Sequence, residues 1–119
     1  MAYFSVIVPV YNRPQEVKEL LDSLAVQKCR DFEVIIVEDG SQECAEQIVA
    51  AYRELLDIQY FYKENSGPGL SRNYGAERAK GDYVLFLDSD CIVPDKYIAV
   101  IKQACSARKM DAFGGPDRA

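Results

Sequence analysis

Short apolar runs rich in β-branched residues alternate along this chain with longer segments whose apolar residues recur at i, i+3, i+4 and i+7. Phe4-Ser5-Val6-Ile7-Val8-Pro9-Val10 reads as a strand buried on both faces, and Pro9 marks its end because proline cannot donate to a ladder. After the turn Tyr11-Asn12-Arg13, Pro14 suits a first helical position and Glu16 a first turn. With the stripe Val17, Leu20, Leu21 and Leu24, they predict a helix over about residues 14–27. Glu33 to Val37 is a second buried strand ending in Glu38-Asp39-Gly40-Ser41. Ser41 is the expected N-cap of a helix whose inner face is Ala45, Ile48, Val49, Tyr52, Leu55 and Leu56. Ile58 to Tyr62 reads as a third strand, Asn65 to Gly69 as a loop, and Leu70 to Lys80 as a helix closed by Gly81 in a left-handed cap. Tyr83-Val84-Leu85-Phe86-Leu87 reads as a fourth buried strand running straight into Asp88-Ser89-Asp90. A last helix over about residues 94–108 turns Tyr97, Ile98, Ile101 and Cys105 inward.

Strands that alternate with helices in this way call for an α/β fold: a Rossmann-like, mostly parallel sheet with helices on both faces. The whole chain, residues 1–119, is expected to form one such unit. Ligands of these sheets sit beyond the carboxyl ends of the strands, where the winding reverses. Three strand ends carry polar signals, at Pro9-Val10-Tyr11-Asn12, at Glu38-Asp39-Gly40-Ser41 and at Asp88-Ser89-Asp90, and they should converge on one crevice.

Composition narrows the ligand. With 49% apolar and 28% charged residues this is an ordinary globular composition, and no apolar run approaches the ~20 residues that cross a bilayer. The start carries no signal-peptide pattern, so a cytoplasmic location is expected, with any membrane association supplied by regions outside this chain. A net charge of -5 argues against nucleic acid as partner, although an acidic site binds phosphates when a metal ion supplies the positive charge. There is no histidine, which removes histidine-based triads. The four cysteines, Cys29, Cys44, Cys91 and Cys105, form no C-x-x-C pair, which suits reduced thiols rather than zinc.

Asp88 and Asp90 could hold Mg²⁺ or Mn²⁺ through one or two oxygens, leaving its other positions for water and a diphosphate. D-x-D spacing also occurs by chance in surface turns. What lifts it here is its place after a run that must be core. Cys91 could be a third ligand, but hard oxygen-binding metals do not select sulfur and a small buried thiol is the favoured reading. Asp39 could accept from a base N–H or a ribose hydroxyl, Tyr11 could lie against a base, and Arg72 could reach a phosphate. Each has a plainer alternative as turn residue, packing residue or surface ion pair. The Gly67-Pro68-Gly69 loop fails the dinucleotide fingerprint because Arg72 stands where the third glycine belongs, and no G-x-x-x-x-G-K-[ST] loop is present.

The ordered segments Ser5 to Asn12, Val34 to Ser41, Gly69 to Asn73 and Gly81 to Asp90 together closely resemble the nucleotide-binding half of the family 2 glycosyltransferases. The resemblance implies a GT-A fold. It also implies metal-dependent transfer of a sugar from a nucleotide sugar, often UDP-linked, to a glycan or lipid-linked acceptor hydroxyl, with inversion, in polysaccharide biosynthesis. By the same resemblance Pro9 and Tyr11 line the nucleoside pocket, Asp39 binds uracil, Arg72 sits near the diphosphate, and Asp88 and Asp90 hold the ribose and the metal. Glu38 departs from the family's usual aspartate and carries no firm role. Such proteins continue well past Gly114-Gly115-Pro116 and place the catalytic base there, so the expectation is a donor-binding half with its base beyond Ala119 and an exposed sheet edge open to self-association. Two alternatives stand beside it. One is a non-catalytic nucleotide-binding or assembly module. The other is a metal-dependent nucleotidyltransferase, which would want a basic glycine-rich loop where this chain has Tyr11-Asn12-Arg13.

Overall fold

The expected alternation of strands and helices is present in the computed structural model, which describes residues 3–108 and 112–113. In chain order the elements are β1 (Phe4–Val10), α1 (Pro14–Ala25), β2 (Phe32–Asp39), α2 (Glu46–Ala51), β3 (Ile58–Lys63), α3 (Pro68–Glu77), β4 (Tyr83–Phe86), α4 (Tyr97–Arg108) and β5 (Ala112–Phe113). The strands pair in parallel throughout, in the order β3-β2-β1-β4-β5. The chain winds outward from β1 to β3 and then returns to the other side of β1, so the winding reverses between β1 and β4. Gly114-Gly115-Pro116 and the side chain of Cys105 lie outside the described residues. Among the described residues, no helix is long and apolar enough to cross a membrane.

Period-two alternation divides the core between the two faces. Phe4, Val6, Val8 and Val10 of β1 and Phe32, Val34 and Ile36 of β2 pack with Val17, Leu20, Leu21 and Leu24 of α1, Val49 of α2 and Ile98 of α4. Ile7, Ile35 and Val37 face the other way, against Phe61, Tyr74 and Phe86 under α3. Each fully buried leucine of α1 contributes about 1.5–3 kcal/mol by leaving water. Along β2 the second face carries Glu33, Ile35, Val37 and Asp39 in turn: a carboxylate, two apolar residues and a second carboxylate. Glu33, at the lower end, accepts from the Ser5 hydroxyl at 2.6 Å and the Lys80 N–H at 2.7 Å. The upper carboxylate is left to the site.

Several local expectations are corrected by tertiary contacts. Ser41 does not cap α2, which begins after Ala45 with no side-chain cap; its hydroxyl donates instead to Glu38 and accepts the Asn12 N–H at 2.7 Å. Leu55 is exposed rather than inward, because the chain leaves the helix after Ala51 and turns through residues 52–56. Gly81 is not a left-handed cap, since α3 ends at Glu77 with Arg78 as its C-cap. Gly81 is needed for room: a Cβ there would lie 2.7 Å from both the Tyr3 carbonyl oxygen and Ser5 Oγ. β4 is only half-buried apart from Leu85, because α3 lies chiefly over β1 and β2. α4 starts at Tyr97 rather than Pro94. Pro9 does stand near its strand end, past Ile7, the last residue of β1 paired with β4.

Candidate functional site

The register of the sheet brings the three polar strand ends level. Val10 of β1 pairs with Glu38 of β2, and Ile7 pairs with Phe86, so Tyr11, Asp39 and Asp88 leave the sheet beside one another. They open on a cavity of about 230 Å³ lined by Pro9, Val10, Tyr11, Arg13, Asp39, Asp88 and Ser89. Four of the residues singled out from the sequence therefore line one space. Tyr11 is 53% exposed, which leaves a ring face open to a ligand.

Two loops are tied together at this rim. Asn12 adopts a left-handed backbone with φ of 51°, a conformation asparagine tolerates better than most residues. Its side-chain carbonyl accepts the N–H groups of Gln42 at 2.7 Å and Glu43 at 3.1 Å, fastening the β1–α1 turn to the β2–α2 loop. Glu38 anchors that loop from beneath. It is wholly buried, with Oε1 accepting from the Ala45 N–H at 2.8 Å and the Tyr60 hydroxyl at 2.9 Å, and Oε2 from the Ser41 hydroxyl. Burial first, and then the bond to Glu38, raise the Tyr60 hydroxyl far above the usual tyrosine range, so it remains a donor.

Asp39 belongs to the opposite face and is only 4% exposed. Its Oδ1 accepts from Lys63 Nζ at 3.0 Å and the Ser66 N–H at 2.8 Å, and its Oδ2 from the Gly67 N–H at 3.0 Å. Burial alone would raise its pKa, but the Ser66 N–H, the Lys63 ammonium and the Gly67 N–H together outweigh it and hold the carboxyl below the usual carboxylate range. Asp39 is thus an ionised acceptor, and it also holds the chain just ahead of α3. Lys63, Ser66 and Arg13 went unnoticed in the sequence. The pairing of β3 with β2 sets Lys63 opposite Asp39.

Arg72 does not line the cavity but reaches it through Asp88, with Nη2 3.5 Å from Oδ1. Both side chains are about 40% exposed, so the pair is a weak one by itself. Asp90 is exposed and also lies outside the lining; it joins Asp88 and Cys91 in a group whose ligand atoms all lie within 4.8 Å of one another. Two hard carboxylates at that spacing suit a small oxygen-seeking cation such as Mg²⁺ or Mn²⁺. Cys91 is half-buried and packs against the main core.

The fold and sequence are those of known glycosyltransferases. A crystal structure of Staphylococcus aureus TarS in complex with UDP-GlcNAc superposes with a TM-score of 0.85 at 38% identity, over 90% of this chain and 32% of that one. The mannosyltransferase PcManGT from Pyrobaculum calidifontis, in complex with GDP-Man and Mn²⁺, superposes with a TM-score of 0.72 at 28% identity, over 78% of this chain and 29% of that one. In sequence, the poly(ribitol-phosphate) β-N-acetylglucosaminyltransferase TarS of S. aureus strain Mu50 is 45% identical over 94 residues, 76% of this chain and 16% of its own length. A glycosyltransferase of Haemophilus influenzae is 44% identical over 100 residues, 82% of this chain and 33% of its own length. The chain spans a third or less of the length of these curated relatives. The expected GT-A arrangement is borne out by the likeness to TarS. With the family model matching residues 5–117, this chain belongs to glycosyl transferase family 2.

Proposed function

We propose that this chain forms the donor site of an inverting glycosyltransferase that takes a UDP-linked sugar and passes it to the hydroxyl of a glycan or lipid-linked acceptor. One observation carries the reading: Tyr11, Asp39 and Asp88, from three separate strand ends, line a single cavity beside Arg72. An ionised Asp39 accepts hydrogen bonds and cannot give them, so it suits a base that offers a ring N–H, as uracil does. The open face of Tyr11 provides a surface for that base, and Pro9 a rigid wall. On the other side, Asp88 accepts from the ribose while Arg72 faces the diphosphate.

Asp88 and Asp90 would hold the divalent cation, whose chemistry there is to neutralise charge on the departing diphosphate. The carboxylates at the cavity are committed to the donor, so the general base that deprotonates the acceptor is assigned to a residue outside it. The UDP-GlcNAc complex of TarS supports the choice of base and diphosphate. Calorimetric titration of UDP-GlcNAc with Mn²⁺ and with EDTA tests the proposal. Chelation and Asp90→Ala should each weaken binding by roughly tenfold or more. Equal affinity under all three conditions would contradict it.

A further inference from the structure

Asp39 has more protein partners than a base acceptor needs, and one of them is a side chain rather than backbone. A carboxylate offers about four acceptor positions. Oδ1 takes two donors, Lys63 Nζ and the Ser66 N–H, while Oδ2 takes the Gly67 N–H alone. Lys63 in turn has three N–H donors, and it directs them to Asp39 Oδ1, to the Glu64 carbonyl at 2.9 Å and to the Ser66 hydroxyl. A lysine beside a nucleotide site would ordinarily be read as a phosphate ligand. Here its donors are spent inside the protein, and its side chain is only 16% exposed. The other cations at the rim are engaged elsewhere, Arg13 with Glu16 at 2.9 Å and Arg72 with Asp88, which leaves Lys63 as the cation in contact with Asp39.

We infer that Lys63 is a positioning residue for nucleobase recognition: by occupying Oδ1 it leaves Oδ2 of Asp39 as the oxygen that accepts the N–H of the base. The inference rests on the donor-site reading above and deepens it. Lys63 also keeps Asp39 charged. Without it the carboxyl takes up a proton at higher pH, and a protonated carboxyl turns an O–H toward the base N–H. Uridine affinity should then fail at a higher pH as acid is added.

Uridine titrations of wild type, Lys63→Met and Lys63→Arg across the acid range test this, with pyrophosphate plus Mn²⁺ as a probe of the opposite corner. Lys63→Met should weaken uridine roughly tenfold and move the acid limb upward, with pyrophosphate binding unchanged, and Lys63→Arg should restore both properties. Wild-type uridine affinity and an unmoved acid limb in Lys63→Met would overturn the inference. Loss of both probes together without rescue by arginine would overturn it too, because that marks a merely structural lysine. A wild-type chain that binds no uridine overturns the donor reading itself, and that result is separable because it needs no variant.

Discussion

Glu38 and Asp39 are adjacent carboxylates with opposite fates, and the two-residue period of a strand is the cause. Glu38 turns toward the α1–α2 face, where it accepts from Ala45, Tyr60 and Ser41. Asp39 turns toward α3 and the cavity. In the sequence Glu38 was only a departure from the family's aspartate with no firm role, since its partners come from residues up to 22 positions away. Replacing it by alanine would strand three donors in the interior, each costing on the order of 1–3 kcal/mol. We expect Glu38→Ala to lose about 3 kcal/mol in urea unfolding, a large part of the ~5–15 kcal/mol typical of a folded domain. Asp39→Asn keeps an acceptor oxygen for the Ser66 N–H but gives up the charge that pairs with Lys63, so it should abolish uridine binding at a smaller cost in stability, which calorimetry would record.

Helix α3 links the proposed base corner to the proposed diphosphate corner. Asp39 grips the residues that precede it, and Arg72 on its second turn meets Asp88. Its seat on the sheet depends on Gly75, where a Cβ would come 2.4 Å from Ile7 Cγ2 and 3.3 Å from Val37 Cγ2. Alanine favours a helix over glycine by about 1 kcal/mol, but overpacking a core costs about 1–3 kcal/mol, and Ile7 is wholly buried with a stiff branched side chain. The clash should win. Gly75→Ala is expected to lower the melting temperature and, by lifting α3, to weaken UDP binding, both readable from one thermal-shift series. The strands and α1 were legible because β-branched runs and an uninterrupted i, i+3, i+4, i+7 stripe state their structure locally. The ends of α2 and α3 were not. Ser41 looked like a cap, yet its hydroxyl is taken by Glu38, and Gly81 looked like a terminator, yet what it provides is clearance above Ser5.

The whole chain should lose stability at both extremes of pH, for opposite reasons. Tyr3 and Tyr52 are pushed up to about 12 from 10.0, by burial first and then by bonds to Asp57 and Asp22. An unfolded chain releases these protons near pH 10 while the folded one retains them, so stability is full below 10.0 and is lost as pH rises toward 12. Asp39 is held below its ordinary value of 3.8, so its contribution is full above that pH and is lost as pH falls through the lowered value of the folded state. Urea midpoints measured across pH should trace both declines. The convergence of three strand ends was readable from the sequence, because a parallel sheet places its carboxyl ends on one side. The uneven layering, with α1, α2 and α4 on one face and α3 on the other, depends on how each connection crosses the sheet, which no local run of residues records.

That convergence is tested most directly by following backbone amide signals in NMR while UDP is added, first alone and then with a trace of Mn²⁺. UDP should shift the amides of Tyr11, Asp39 and Ser66. Mn²⁺ should then broaden those of Asp88 to Cys91, and Asp90→Ala should abolish the broadening. UDP shifts confined to the groove between α1 and α2, around Ile48, Tyr52 and Leu55, or Mn²⁺ broadening that ignores Asp88 and Asp90, would contradict a nucleotide-sugar site at the carboxyl ends of β1, β2 and β4.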